Sequence, residues 1–352
     1  MKESDIASII GQELDSNITT ILQNRLSLLS EWRILVKDNF EHLNYVLDKL
    51  DERLITSDHW LFITYDELDR LLTTYNALAN PIRELLAFWL DRSRRWERIR
   101  PKIFLRTDLF REEFLGFPDA SKLQSHRLEW RPSWLYQLWI KRLANSAQEM
   151  RDYLQIIPNL IYESSTQLGW NVRSDEQLFQ ELIEIMIGKY MGASPKKGIT
   201  YRWIPNHLQD TGGRIAPRSF LKLFDLAAAK RLERFEQLTE LYLLQPPDLQ
   251  SALMDTSEDR IKELAQEEYS WLESLKTNLE GLEAPILKET FLEAVRSTKW
   301  EKLPPVTEPE GIMQYLIQLG VVESRLDGRI NIPEIYLYGF KVKRRGGVKR
   351  PQ

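Results

Sequence analysis

One stretch constrains the fold of this chain more than any other: residues 59–71, which read HWLFITYDELDRL. The mostly apolar run from Trp60 to Tyr65 predicts a buried strand, and Asp66 and Glu67 follow it directly. A strand that ends in two carboxylates can hold Mg²⁺ and activate a water, although an ordinary solvated strand end gives the same pattern. Gly11 is the sole glycine before residue 100, so no glycine-rich phosphate-binding loop precedes this strand.

Composition predicts an intracellular protein with a substantial core. The 352 residues suit two or three domains, and 43% of them are apolar while 28% are charged. The net charge of −4 gives no general attraction to nucleic acid, so any such contact has to come from a local basic patch. The absence of cysteine excludes disulfides and fits a reducing cytoplasm, and the four histidines show no metal-ligand spacing. No apolar run reaches the roughly 20 residues of a membrane span, so we expect a soluble, cytoplasmic chain without membrane contact.

Hydrophobic periodicity predicts a mainly helical chain with a small α/β part. The predicted regions are N-terminal helices over residues 1–56, a partial α/β core over 57–132, a helical region over 133–245, and a helical linker with a C-terminal domain over 246–352. Within the α/β core, we expect a second strand at 102–110 and a short third strand at 126–130. Pro246 and Pro247 interrupt the helical pattern and predict a boundary there.

Polar side chains further along the chain are candidates to act together with the acidic pair. Arg106 and Thr107 follow the apolar start of the second predicted strand, where a nucleotide-hydrolysing fold places a side chain near the γ-phosphate. Arg218 lies in the first turn of a predicted helix, and its guanidinium is a candidate phosphate ligand. The alternatives stay open, since Arg106 can extend into solvent from a strand end and Arg218 can be a surface residue near a helix start.

Four segments, taken in order, resemble the second half of a bacterial P-loop ATPase of the AAA+/STAND class, which includes KAP-type and origin-recognition-type ATPases. The segments are FITYDELDRL (62–71), IFLRTDLF (103–110), LEWRPSWLYQLWIKRLAN (128–145) and GRIAPRSFLKLFDLAAA (213–229). The resemblance implies a partial P-loop core in which Asp66, in the Walker B position, binds Mg²⁺ and Glu67 is the catalytic base. It also implies that Arg106 or Thr107 acts as sensor 1, that Arg218 acts as sensor 2 from a helical lid, and that ATP and Mg²⁺ are the cofactors. Large ATPases of this kind are often encoded in bacterial antiphage defence or mobile loci, and the resemblance extends the expectation to such a role.

The chain departs from this class at its front, because no G-x-x-x-x-G-K-[ST] loop (the Walker A element) precedes Asp66. The Gly188-Lys189 pair is not a candidate, since it lacks the Ser/Thr and lies after the acidic strand. We therefore expect little or no ATP hydrolysis by this chain alone. Three explanations stay open: the rear part of a split or truncated ATPase, a chain completed by a Walker A-bearing partner or a homo-oligomer, and a degenerate form whose N-terminal helices cover the gap. A sheet without its central strand is also expected to leave unpaired backbone groups and exposed apolar faces.

The end of the chain predicts a winged helix. A helical pattern leads into LIQLGVVESRLDGRINIPEIYLYGF (316–340), in which Asp327-Gly328 lies between two short β-like arms. Six basic residues follow as candidate contacts to DNA phosphates: Lys341, Lys343, Arg344, Arg345, Lys349 and Arg350. A winged helix that contacts protein, followed by a solvated basic tail, explains the same residues. The alternative function is therefore a non-enzymatic DNA-binding or protein-interaction module.

Overall fold

A computed structural model describes residue 34 and residues 36–68, 75–105, 128–163, 169–234, 242–267 and 269–345. The chain divides into two units, Met1–Arg127 and Leu128–Gln352. In the described ranges the protein is mainly helical, and its strands form four two-stranded sheets. Among the helices of these ranges, none combines the length and the apolar character that a membrane crossing requires.

The first unit contains a parallel two-stranded sheet. Its described elements are α1 (Phe40–Thr56), β1 (Leu61–Tyr65), α2 (Tyr75–Arg95) and β2 (Ile99–Ile103). The two strands pair in parallel from Leu61↔Ile99 to Tyr65↔Ile103, and α2 lies in the crossover that a parallel pair requires. The inward side chains of the sheet pack against a buried cluster made of Leu50, Leu54, Trp89, Trp96 and Ile99. Since this cluster includes residues of α1 and α2, both helices contribute to the apolar layer on one face of the sheet.

Two carboxylates of α1 attach this helix to the segment that leads into β2. Asp51 is buried and accepts hydrogen bonds of 2.7–3.1 Å from the backbone N–H groups of residues 97–99. Asp48 accepts hydrogen bonds from the guanidinium of Arg95 and, at 2.9 Å, from Nε1 of Trp96. Because these partners are 46 to 48 residues away in sequence, the two aspartates fix the position of α1 against the start of β2.

The Asp48 carboxylate is expected to make the stability of the first unit depend on pH. The hydrogen bond from the Arg95 side chain holds the pKa of Asp48 below its ordinary value of 3.8. Because the folded pKa is lower than the unfolded one, the stabilisation is present above about pH 4 and is lost as the pH falls through the folded pKa. We expect Asp48→Asn to remove this part of the acid sensitivity. Hydrogen exchange of residues 40–56 between about pH 5 and pH 2, corrected for intrinsic rates, measures it.

The control for Asp48 is Glu52, another carboxylate of α1, which forms an exposed ion pair of 2.8 Å with Lys49. We expect Glu52→Gln to change the acid profile little, because exposed pairs contribute little to stability. An Asp48→Asn protein whose acid profile equals that of the unaltered protein would contradict the prediction.

The second unit begins with helices and one small hairpin. The elements are α3 (Pro132–Ala144), α4 (Gln148–Leu154), β3 (Ile161–Glu163), β4 (Trp170–Val172), α5 (Glu176–Met186) and α6 (Thr200–Leu208). Tyr136 of α3 is fully buried, and its hydroxyl donates a hydrogen bond of 2.7 Å to the backbone oxygen of Tyr201. The two tyrosine rings also stack with centroids 4.3 Å apart. These contacts hold α3 against the start of α6.

Two long helices, α7 (Pro217–Glu233) and α8 (Pro246–Glu267), form an antiparallel pair. The side chains that α7 buries recur at helical spacing: Ser219, Phe220, Leu223, Phe224, Ala227 and Arg231. Basic side chains of α7 and the residue after it meet acidic side chains of α8 in the pairs Arg218–Glu263 (3.9 Å), Lys222–Asp259 (2.5 Å), Lys230–Asp255 (2.6 Å) and Arg234–Asp248. Each step toward the end of α7 is matched by a step toward the start of α8, so the ion pairs fix the antiparallel register.

The last part of the chain consists of short elements around a hairpin. They are α9 (Leu272–Leu279), β5 (Glu283–Ala284), α10 (Lys288–Arg296), α11 (Pro309–Gln318), β6 (Glu323–Ser324), β7 (Ile330–Asn331), α12 (Glu334–Leu337) and β8 (Lys343–Arg344). Strands β6 and β7 pair in antiparallel, and Gly328 at the tip has a φ of +78°, which favours glycine. Ile286, after β5, forms an antiparallel bridge to Ile330, and β5 pairs in parallel with β8. The hairpin is thereby joined to the strand that precedes α10.

The strand and hairpin predictions from sequence are correct in part. The strand at 60–65 and the hairpin around Asp327-Gly328 are confirmed. The second strand begins earlier than predicted, at Ile99, and the end of the predicted range 102–110 lies outside the described residues. Leu128–Trp130 belong to no strand, so the described part of the predicted third strand is wrong. The break predicted at Pro246 is present, since residues 242–245 are not helical and α8 begins at Pro246, where the missing N–H of proline would have no partner in any case.

Candidate functional site

The acidic pair Asp66 and Glu67 lies at the carboxyl end of β1, where the sequence predicts it. Both side chains are exposed, while Leu68 after them is buried. The N–H of Glu67 donates a hydrogen bond of 2.8 Å to Oδ1 of Asp66, and Glu67 has a φ of +55°. A non-glycine residue in this left-handed region costs about 1 kcal/mol or more, and such residues concentrate at functional sites. The chain therefore turns sharply at the strand end and presents two adjacent carboxylates.

The face of the sheet opposite the core carries exposed aromatic side chains. Trp60 and Phe62 are 50% and 51% exposed, and their ring planes differ by 7° with centroids 6.1 Å apart. Phe104, just after β2, is also exposed. The guanidinium of Arg98 lies 4.7 Å from the Trp60 ring, and Nζ of Lys102 lies 5.0 Å from the Phe62 ring. The strand is thus partly buried on one face and exposed on the other, which corrects the predicted buried strand and agrees with the exposed apolar face expected of a sheet that lacks a strand.

The outer edge of β1 has unpaired backbone groups within the described ranges. The ladder uses alternate residues of β1, beginning with the N–H of Leu61, which donates to the oxygen of Arg98. The N–H and C=O groups of Phe62 and Thr64 therefore point away from β2, and no described strand pairs with them. On the opposite side, the outer edge of β2 includes Pro101, which has no N–H to donate. A further strand therefore fits better beside β1 than beside β2.

The other predicted members of the site lie elsewhere in the chain. Arg106 and Thr107 are outside the described residues. Arg218 belongs to the second unit, in the first turn of α7, where its side chain is 60% exposed and Nη1 lies 3.9 Å from Oε2 of Glu263. This contact is one of the ion pairs between α7 and α8. The role of Arg218 as a phosphate ligand stays a prediction. In the described ranges no group of three or more His, Asp or Glu could hold a metal ion.

Of the C-terminal basic residues that the structure describes, Lys341 and Arg344 contact other residues of the protein. Nζ of Lys341 forms an ion pair of 3.0 Å with Glu280. The guanidinium of Arg344 donates hydrogen bonds of 2.6 Å to Oδ1 of Asn331 and 2.9 Å to the backbone oxygen of Ile332. Both side chains therefore stabilise the C-terminal elements, and a phosphate would have to compete with their present partners.

The other C-terminal basic residues are positively charged, whereas the helix before the hairpin has no basic residue. Lys343 and Arg345 are exposed, and neither forms an ion pair with a described residue. Lys349 and Arg350 lie outside the described residues. Helix α11 contains no lysine or arginine, and its exposed side chains include Glu310. A helix of this charge is poorly suited to lie against DNA phosphates.

The tip of the hairpin is a small cluster of charged residues. Nη2 of Arg329 lies 2.7 Å from Oδ2 of Asp327, and Nε of Arg325 lies 3.7 Å from the same oxygen. The hydrogen bond from the Arg329 side chain lowers the pKa of Asp327. Leu326 is fully exposed at this tip. The tip therefore presents an apolar side chain, and its positive charges are partly neutralised.

Two features escaped the sequence analysis. The exposure of Trp60 and Phe62 gave no signal, because almost every residue of the strand is apolar and no alternation is visible. A basic loop between α5 and α6 also escaped it, although the sequence carries a signal: residues 189–208 contain four basic residues and no acidic one. A count of charge in a moving window would have found this loop.

Comparison with known proteins gives no match: no family model fits the chain, and neither curated proteins nor solved structures resemble it significantly. The sheet with its acidic end and the short C-terminal elements are therefore the basis for assigning a function.

Proposed function

We propose that this chain is an ATPase-like regulatory protein, the rear part of a split or degenerate P-loop ATPase that hydrolyses little or no ATP alone. The observation that carries the proposal is the unfinished parallel sheet, because β1 ends in Asp66 and Glu67 while its outer edge and one face are uncovered in the described ranges. Parallel sheets are normally covered on both faces, and two strands are too few for an independent sheet. A partner chain that brings a strand, a phosphate-binding loop and a covering helix would complete both the sheet and the site.

The donor set at the strand end fits a magnesium ion that arrives with ATP. Mg²⁺ bound with a nucleotide takes one or two protein carboxylates, while phosphate oxygens and water supply the other ligands. The exposed carboxylate of Asp66 fits this role, and the adjacent carboxylate of Glu67 remains for the attacking water. In the proposal Asp66 is the ligand and Glu67 accepts a proton from the attacking water. The bound ion would neutralise charge on the phosphates.

The partner in this proposal is a different chain and not a second copy. A second copy brings no Walker A loop, because the sequence contains none. The unpaired N–H and C=O groups of Phe62 and Thr64 are the place where a partner strand would pair, and Trp60 and Phe62 are the surface that its helix would cover. Arg106 or Thr107 as sensor 1, Arg218 as sensor 2 and a role in antiphage defence belong to the same proposal and follow from the resemblance.

The test is ATP hydrolysis by the purified chain, with and without a partner that carries G-x-x-x-x-G-K-[ST], sought first in the reading frame directly upstream of Met1. We expect the chain alone to release phosphate from Mg-ATP no faster than a blank. With the partner, turnover should appear, and Glu67→Gln should lower it by about 10²–10⁴-fold because the general base is lost. Glu52→Gln on α1 is the matched control and should keep full turnover. Robust turnover by the chain alone that disappears in Glu67→Gln would contradict the proposal.

A second candidate function is a winged-helix module for binding DNA or protein. The supporting observation is the order α9, β5, α10, α11 and hairpin, with Ile286 after β5 bridged to Ile330 of the hairpin. In such a module the helix before the hairpin and the hairpin tip contact the partner. Because α11 has no basic residue and the tip exposes Leu326, protein contact is favoured over DNA contact.

A further inference from the structure

The segment that leads from α5 into the first turn of α6 carries several basic residues and no acidic one. We define the basic loop as residues 188–202; it contains Lys189, Lys196, Lys197 and Arg202 and no acidic residue. Lys189 lies 3.7 Å from Glu184 of α5. The other three are exposed, and within the described ranges none of them forms an ion pair. By contrast, four basic side chains of α7 and the residue that follows it form ion pairs with acidic side chains of α8.

The base of the basic loop is held firmly. The N–H of Met191 donates a hydrogen bond of 3.0 Å to the oxygen of Gly198, and the N–H of Thr200 donates one of 3.0 Å to the oxygen of Lys189. The hydroxyl of Thr200 donates another of 2.7 Å to the oxygen of Gly188. Met191 and Thr200 are buried, so both sides of the base are anchored in the core. The basic side chains of the loop therefore extend from a backbone whose position is held by these contacts.

The tip of the basic loop positions the two adjacent lysines. Pro195–Lys197 form a short 3-10 turn, closed by a hydrogen bond of 3.0 Å from the N–H of Lys197 to the oxygen of Ser194. The stem of Lys197 packs on Gly192, where a Cβ atom would lie 3.0 Å from Cγ of the lysine. A side chain at position 192 would make the lysine stem move by a few tenths of an ångström. Lys196 and Lys197 both remain exposed at the tip.

We propose that the basic loop binds the phosphodiester backbone of a nucleic acid, without sequence preference. Lys196 and Lys197 lie at the tip of the basic loop, and Arg202 lies at its end, in the first turn of α6. A polyanion with closely repeated charges can engage all three cations together. The chain as a whole has a net charge of −4, so a general electrostatic attraction does not explain binding at this place. This inference goes beyond the proposed ATPase-like function and does not depend on the acidic pair, since the binding needs no nucleotide.

The test is fluorescence anisotropy with labelled duplex and single-stranded oligonucleotides of mixed sequence, at salt concentrations upward from about 50 mM. Three phosphate contacts predict a slope of about −2.7 in log K against log salt for duplex DNA. Lys196→Gln/Lys197→Gln should reduce the steepness by about 1.8 and weaken binding about a hundredfold at the lowest salt. Arg202→Gln alone should reduce it by about 0.9. Either form of nucleic acid satisfies the proposal, and the tighter one identifies the preferred ligand.

Two matched variants separate the basic loop from other sources of charge. Lys222→Gln/Lys230→Gln makes the same change in net charge among residues paired with α8, and it should leave binding nearly unchanged. Lys343→Gln/Arg345→Gln tests the C-terminal residues in the same way. The proposal is overturned if neither oligonucleotide binds at low salt, if the loop variant binds as the unaltered chain does, or if the three double variants lose affinity equally. Loss in the C-terminal variant alone would place the contact in the tail, and binding of an acidic protein but of no oligonucleotide would also refute the proposal.

Discussion

Replacement of Asp51 by alanine is expected to lower the free energy of unfolding of the first unit by about 3–5 kcal/mol. Asp51 is 6% exposed, and its two carboxylate oxygens accept hydrogen bonds from the N–H groups of Glu97, Arg98 and Ile99. Alanine leaves these three donors without an acceptor, of which the N–H of Ile99 is buried and the other two are partly buried, and a buried donor without a partner costs about 1–3 kcal/mol. Since the donors stand at the start of β2, the change should loosen the parallel sheet itself.

Hydrogen exchange followed by mass spectrometry measures the two units separately. Peptides from residues 96–105 should lose roughly a hundredfold to a few thousandfold of protection in Asp51→Ala, whereas peptides from residues 128–345 should keep theirs. Asp51→Asn should lose less protection than Asp51→Ala, because one amide oxygen can keep the bonds from Arg98 and Ile99 that Oδ1 now accepts. Glu52→Ala is the control at an exposed neighbour and should stay within about 0.5 kcal/mol. Equal protection in Asp51→Ala and Glu52→Ala would refute the role assigned to Asp51.

The sequence of the first unit predicts its first strand, but neither the start of the second strand nor the contacts that hold the two strands. An apolar run followed by Asp66 and Glu67 is visible without any structure, and the strand is where the pattern places it. Asp51 gives no such signal, because a single carboxylate within a helical pattern normally faces solvent. Its partners come 46 or more residues later, so its role depends on how α1 packs against β2.

The second unit shows the same division between local and long-range information. Asp327-Gly328 predicts a hairpin because this dipeptide suits a tight turn, and the hairpin is present. The β3–β4 hairpin was not predicted, since strands of three residues are too short for a pattern of alternation. The basic residues at the C-terminus are obvious in the sequence, but the engagement of Lys341 and Arg344 with protein partners follows only from tertiary packing.

The candidate site combines both kinds of information. The residue types of the acidic pair could be predicted, because carboxylates after an apolar strand are a local pattern. The uncovered face around Trp60 and Phe62 could not, since a strand buried on both faces has the same composition. Pro101 lies outside the strand predicted from sequence, and only the observed ladder shows that its position, without an N–H, faces the outer side of β2. The first unit therefore has one edge that suits a partner strand and another that disfavours it.

The second large effect is expected at Glu334, a buried carboxylate that joins the C-terminal elements to α6. Glu334 is 8% exposed, and its Oε2 lies 3.3 Å from Nε2 of His207, which is 3% exposed. Oε1 lies 3.8 Å from Nε of Arg344, while Nδ1 of His207 lies 2.6 Å from the oxygen of Trp203. Glu334→Leu removes the acceptor that faces His207 and Arg344 in a place with little water. We expect this change to cost about 3–5 kcal/mol, because removal of one member of a buried pair leaves the other without compensation.

A double-mutant cycle separates this pairing from simple loss of packing. His207→Leu and Glu334→Leu should each destabilise the second unit, and the double variant should be less destabilised than the two changes added together, by about 1 kcal/mol or more. The physical reason is that the double variant leaves neither ring nor carboxylate alone, while Arg344 keeps its bonds to Asn331 and Ile332. Hydrogen exchange of residues 200–208 and 330–345 gives the four free energies. The exposed pair Lys341–Glu280 is the matched control, for which the same cycle should yield less than about 1 kcal/mol. Strict additivity at His207 and Glu334 would mean that their contact contributes nothing to the stability of the second unit.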